Sequence, residues 1–276
     1  MYQKGNLKTK IIEKLLSGPT RIPSLIQEIA YVEKVSPQSV YTALRTLKKD
    51  EVVSTHNKQV SLSLIWLTKE KEKLDFSESA YKSSKQLTNL SSETKGKIIF
   101  SFKTINEMDL FWTHAYTILF EKMNTLAPQY SLMPHDFYQY GREATDTFWV
   151  EKNIKEKKNA RLVITHTQPL DIAVMKARRG KLGSAFEFLL HQNPLKQKSN
   201  ITYTITGDYI FKGVFDKRVN EKLELFVKNH KTLTLSPSAQ KEIEKILSLK
   251  GKFTLTIEKN HKKSEAMEKK LKKYFE

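Results

Sequence analysis

The sequence predicts an α+β domain followed by a larger α/β domain, and three observations carry that expectation. Residues 7–64 hold three short amphipathic helical patterns and then two alternating strand patterns. Residues 77–97, reading SESAYKSSKQLTNLSSETKGK, are rich in Ser, Lys and Thr with little apolar period, as a linker or connecting helix would be. Beyond them strands and helices alternate, the order of an α/β domain. The expected division is one domain over 1–76, a linker or connecting helix over 77–97, and an α/β domain over 98–276.

Leu7, Ile11, Ile12, Leu15 and Leu16 give a first helix with one apolar face, ended by Gly18-Pro19. Pro23 opens a second, with Leu25, Ile26, Ile29 and Ala30 on its apolar side. After the turn Glu33-Lys34-Val35, Ser36-Pro37-Gln38 combines an N-cap serine with proline in the first turn. The third helix, 36–49, would bury Val40, Ala43, Leu44 and Leu47, and so turn Gln38, Ser39, Tyr41, Thr42, Arg45 and Lys48 outward. Strands over 52–56 and 60–64 follow, joined by Asn57-Lys58-Gln59.

In the second part, 97–102 reads as a strand, 106–124 as a helix, 134–158 as another helix and 160–165 as a buried strand. Pro169 stands in the first turn of a helix over 171–179 that Gly180 would stop. Strands over 201–206 and 209–215 flank the turn Gly207-Asp208, and helices over 238–249 and 264–274 flank a strand over 252–258.

With 48 Lys and Arg against 30 Asp and Glu, the chain carries a formal +18, which favours a polyanionic partner. A generally basic composition with no anionic partner is the alternative. Of 276 residues, 39% are hydrophobic, enough to build two cores. Cysteine is absent, which removes disulfides, thiolate metal sites and a cysteine nucleophile. Residues 1–6 lack the apolar core of a secretory signal and no run of about 18 apolar residues occurs, so the expected location is cytoplasmic, without a membrane partner.

A helix entering the major groove of double-stranded DNA presents hydrogen-bonding side chains near its N-terminus and cations near the phosphates. Gln38, Ser39 and Thr42 suit the first task, with Ser36 beside them. Arg45, Lys48 and Lys49 suit the second, and Tyr41 either one. Asn57 and Lys58, at the tip of the strand pair, are placed to touch backbone or minor groove. The stretch VSPQSVYTALRTLKKDEVV resembles the recognition helix and first wing strand of winged-helix repressors, with Asp50-Glu51 where such proteins often carry glycine. The resemblance implies an N-terminal winged helix-turn-helix and a DNA-binding transcription regulator, a repressor acting as a homodimer on a two-fold site. A packing module that meets another protein is the alternative.

The second domain resembles, on Ile201-Thr202-Tyr203-Thr204-Ile205-Thr206-Gly207-Asp208 and on Phe253 to Lys259 with the closing Lys273-Tyr274-Phe275, the effector domain of TrmB-type regulators. That resemblance implies a phospholipase D-like fold without catalysis, serving a small-molecule effector, dimerisation or a protein partner.

Catalytic chemistry is not legible. Phospholipase D-like cleavage needs His-x-Lys followed by Asp, and His261-Lys262-Lys263 has no aspartate after it. No two of the seven histidines stand at the i, i+4 spacing of a helical zinc site. Gly180-Lys181-Leu182-Gly183-Ser184 lacks phosphate-loop spacing. Arg178, Arg179 and Lys181 read as an anion-binding cluster or a solvated helix end, and the lysines of the last helix as a charged outer face. The expectation is therefore no catalytic residue, no metal and no cofactor. The rivals to a regulator are a nucleic-acid-processing enzyme delivered by its first domain and an antitoxin-like autorepressor that clamps a protein.

Overall fold

The computed structural model describes residues 7–82, 85–92, 95–120, 128–137, 141–142, 148–149, 151–152, 155 and 159–276. The chain divides into two compact units, Met1–Ser83 and Ser84–Glu276.

The first unit runs α1 (Leu7–Leu15), β1 (Thr20–Arg21), α2 (Ile22–Val32), α3 (Pro37–Lys49), β2 (Val53–His56), β3 (Gln59–Leu62) and α4 (Leu64–Lys82). Its strands form an antiparallel sheet of order β1-β3-β2. Ile11, Leu15, Leu25, Ile26, Val40, Leu44 and Val60 are all buried in one core, the apolar stripes of three helices meeting the inner face of the sheet. Ser36 caps α3 as its sequence suggests, its side chain accepting from the Ser39 N–H.

Two local expectations are corrected here. Gln59 belongs to β3, so the hairpin loop is the pair Asn57-Lys58, both at positive φ (47° and 62°), the two-residue turn that matches strand twist. Residue 64 opens α4 and does not end a strand, and α4 continues past Phe76, across the expected domain edge.

The end of α3 explains Asp50-Glu51. Val52 N–H donates to Leu47 O (2.9 Å) and Glu51 N–H to Lys48 O (3.1 Å), with Glu51 at φ +57°, a Schellman cap in which Val52 and Leu47 are buried together. A side chain in the left-handed region costs about 1 kcal/mol, partly offset by the larger unfolded-state freedom of glycine. Glu51→Gly is therefore expected to raise the stability of the first unit by roughly 0.5 kcal/mol. Chemical denaturation checks it; a loss of stability would contradict the cap.

The second unit runs α5 (Lys85–Ser92), β4 (Lys95–Phe102), α6 (Ile105–Phe120), β5 (Gln129–Met133), β6 (Ala160–Ile164), α7 (Pro169–Leu182), β7 (Phe186–Leu190), β8 (Ile201–Thr206), β9 (Tyr209–Val214), α8 (Lys217–Asn229), α9 (Pro237–Leu247), β10 (Phe253–Asn260) and α10 (His261–Lys272). Its mixed sheet has the order β4-β10-β9-β8-β5-β6-β7, parallel only at β5-β6-β7. Alternation along the strands separates two cores. Leu162, Ile164, Phe211 and Leu255 join residues of α5 to α9 in one, while Leu132, Val163, Ile205 and Ile210 meet Leu271 of α10 in the other.

Residues 77–97 are not a free linker. They hold the end of α4, the whole of α5, whose Leu87 and Leu90 are buried, and the start of β4. The helix expected over 134–158 lies largely outside the described residues, and residues 134–137 are not helical. α7 passes Gly180 and ends at Leu182, capped by Gly183 at φ +60°. β1, β5 and β7 were not expected from the sequence.

Candidate nucleic-acid interface

Burial of Val40, Leu44 and Leu47 fixes which side of α3 faces out. Gln38, Ser39, Tyr41, Thr42, Arg45, Lys48 and Lys49 are all exposed. Their hydroxyls are partly committed. Ser36 Oγ lies 2.8 Å from Ser39 Oγ, and Thr42 Oγ1 donates to Gln38 O at 2.9 Å. Thr42 thereby presents its methyl and a hydrogen-bond acceptor outward, and Ser36 and Ser39 share one proton network at the helix start. Among the described residues the Gln38 side-chain amide has no hydrogen-bond partner, which leaves it for an external one.

The electrostatics of this face are one-signed. α3 contains three basic residues and no acid. The carboxylates of Asp50, Glu13 and Glu28 are taken by Lys8, Lys10 and Lys14 of α1. Among the described residues, Arg45, Lys48, Lys49 and Lys58 have no carboxylate within 4 Å. The positive end of the α3 dipole lies at Ser36, beside Gln38 and Ser39.

The hairpin tip is held to the helices by its backbone: Ile22 N–H donates to Lys58 O at 2.9 Å. Asn57 and Lys58 stay exposed at the turn, and exposed Arg21 stands opposite Gln59 in the β1–β3 pair, adding a cation beside them. No pattern in the sequence marks Arg21, because its strand is two residues long. Of the ten residues proposed from sequence, the structure places eight, Ser36 to Lys49, on α3 and its N-cap, and Asn57 and Lys58 at the β2–β3 turn of the same unit.

The second unit holds titratable chemistry that sequence reading left open. His135, just past β5, is 2% exposed and places Nδ1 2.8 Å from Asp171 Oδ2 and Nε2 2.8 Å from Glu224 Oε2. Burial opposes protonation, but hydrogen bonds to and the charges of the two carboxylates outweigh it and push His135 up to about 9. Both ring nitrogens therefore donate, and neither is a free base. Asp171 also caps α7, accepting from Gln168 N–H at 2.9 Å. His166 reaches the same place from the end of β6, its ring 6.3 Å from that of His135. Among the described residues no group of three or more His, Asp or Glu side chains is arranged to hold a metal ion.

Arg178 corrects both sequence readings of the basic cluster in α7. It turns inward, Nε donating to Asp136 Oδ2 at 2.6 Å, and Arg179 donates to Phe186 O. His261 is 2.9 Å from Asp208 at the edge of the β8–β9 turn, both exposed.

No protein-family model matches the chain, and no curated protein matches it. Among solved structures the chain is similar to TrmBL2, an archaeal chromatin protein whose structure shows a novel mode of DNA binding. The identity is 12% and the TM-score 0.36 over 99% of this chain and 91% of that one. Among the described residues no helix is long and apolar enough to cross a membrane.

Proposed function

We propose that the protein is a cytoplasmic, sequence-specific DNA-binding transcription regulator, a repressor, whose first unit is a winged helix-turn-helix. In this reading α3 enters the major groove, the β2–β3 hairpin is the wing, and a homodimer presents two copies to a two-fold site. The second unit is a non-catalytic sensing or dimerisation domain. The observation that carries the reading is the outer face of α3: polar groups in its first two turns, cations without carboxylate partners among the described residues in its later turns, and no acid along its length.

Gln38 and Thr42 are the residues of this helix suited to base edges, Gln by two hydrogen bonds to adenine and Thr by its methyl against thymine, each worth about 1–3 kcal/mol when well placed. Gln38→Ala is expected to relax preference at one base pair of each half-site, while affinity for unrelated DNA stays nearly constant. Binding to a library of randomised duplexes measures it. An unchanged base profile for Gln38→Ala combined with Thr42→Ala would remove α3 from the reading role.

A further inference from the structure

The inner face of the second unit's sheet carries a partly open cavity of about 150 Å³, between α6, the last turns of α7 and the strands β5, β6, β8 and β9. Its walls are mainly apolar, including Met108, Trp112, Phe211 and Leu255, yet hydroxyls of Ser131, Thr202 and Thr204 line it from the sheet. At Gly213, paired with Thr202 across β8 and β9, a Cβ would lie 2.6 Å from Thr202 Oγ1, so the glycine makes room for the threonine side chain at the cavity wall.

Two polar atoms of this wall lack a hydrogen-bond partner among the described residues: Asp136 Oδ1, on a side chain 1% exposed, and the buried indole Nε1 of Trp149. A buried carboxylate oxygen and a buried N–H left unmade are each costly, and together they ask for a donor and an acceptor on one guest. The wall's arginines are matched in pairs. Arg142 donates to Asp109, Arg178 to Asp136 and Arg161 to Glu187. A guest with net charge would upset that balance, whereas a zwitterion would not.

We infer that this cavity binds a compact zwitterion with an apolar side chain, of the hydrophobic α-amino acid class. Its ammonium group donates to Asp136 Oδ1, its carboxylate accepts from Trp149 Nε1, and its side chain lies among Met108, Phe211 and Leu255. About 150 Å³ holds a body as large as benzene, which suits a leucine or phenylalanine side chain, the backbone of the amino acid lying toward the cavity's open side, and is too small for a disaccharide. The inference stands apart from DNA binding and is tested without DNA.

The experiment is calorimetric titration of the full chain with L-leucine, L-phenylalanine, N-acetyl-L-leucine and glucose. Saturable binding of leucine or phenylalanine is expected, with N-acetyl-leucine weaker by at least about tenfold because the cation facing Asp136 is gone. Asp136→Asn and Trp149→Phe should each weaken leucine binding, and Asp136→Asn should narrow the gap between leucine and its acetylated form. Should either variant unfold, as circular dichroism would show, the comparison of the two ligands on the unaltered protein decides. No saturable binding by either amino acid, N-acetyl-leucine binding as tightly as leucine, or glucose binding in place of both would overturn the proposal.

Discussion

Replacing His135 with Leu is expected to destabilise the second unit by about 3 kcal/mol, the lower end of the cost of removing one partner from a buried ion pair. The lower end applies because Glu224 is 32% exposed and can turn toward water, whereas Asp171 is fully buried and cannot. The same contact makes stability depend on pH. His135 titrates at about 9 in the folded state against about 6.5 unfolded. A raised histidine pKa contributes its full stabilisation below 6.5 and loses it as pH climbs through 9, a difference of roughly 3 kcal/mol. Trp66 lies in the first unit and Trp112 and Trp149 in the second, so fluorescence-detected urea unfolding in a Trp66→Phe background follows the second unit alone. His135→Leu should lower the midpoint at pH 6 and flatten its fall between pH 6.5 and 9. Equal midpoints for both proteins at pH 6 would show that the histidine is not charged there.

The second large effect is expected from Arg45→Ala combined with Lys48→Ala. If each cation neutralises one phosphate, losing both flattens the dependence of log affinity on log salt by about 2. Both side chains are exposed and lack a carboxylate within 4 Å among the described residues, so little of their loss should appear as instability. Affinity near 0.1 M salt should fall by at least about tenfold for every duplex sequence alike, since phosphates carry no sequence information. Fluorescence anisotropy across a salt series, on a preferred and a scrambled duplex, measures both quantities. A loss confined to the preferred duplex with the slope intact would move these residues from phosphate to base contact.

The first unit was largely legible because its signals are local. Ser36-Pro37 announces a helix start within two residues, and Val40, Leu44 and Leu47 repeat at helical spacing. What escaped was what no local pattern encodes. β1 is two residues long and exists only through its pairing with β3. α4 places Leu64, Ile65, Leu74 and Phe76 at positions that define no single stripe, and all four are exposed. In the 77–97 stretch, polar composition left linker and connecting helix undecided, because the apolar signal of α5 comes from a pair of residues, Leu87 and Leu90, both buried.

In the second unit the buried charges were the hardest to foresee. His135 finds its partners 36 and 89 residues away, on separate helices. Arg178 looked like a helix-end cation because its partner, Asp136, is 42 residues earlier in the chain. β5 and β7 are five residues each, and β5 mixes Gln and Ser with its apolar residues because one of its faces lines the cavity. Residue types were visible in the sequence, but not which of them fold would bring together.

The register of the second unit's sheet also bears on how the chain is made. Among the described residues β4 hydrogen-bonds to β10 alone, in eight pairs from Phe253↔Phe102 to Asn260↔Lys95, although nine described strands and α-helices of the unit are synthesised between them. On a ribosome β4 emerges first among the strands of its unit and must wait for the last one to complete its hydrogen bonds, although Phe111 of α6, which follows it directly, can already cover Phe100 and Phe102. Its outward row, Lys95, Lys97 and Lys103 around Ile99, charges that waiting edge, which is the device that discourages one nascent chain from pairing with another.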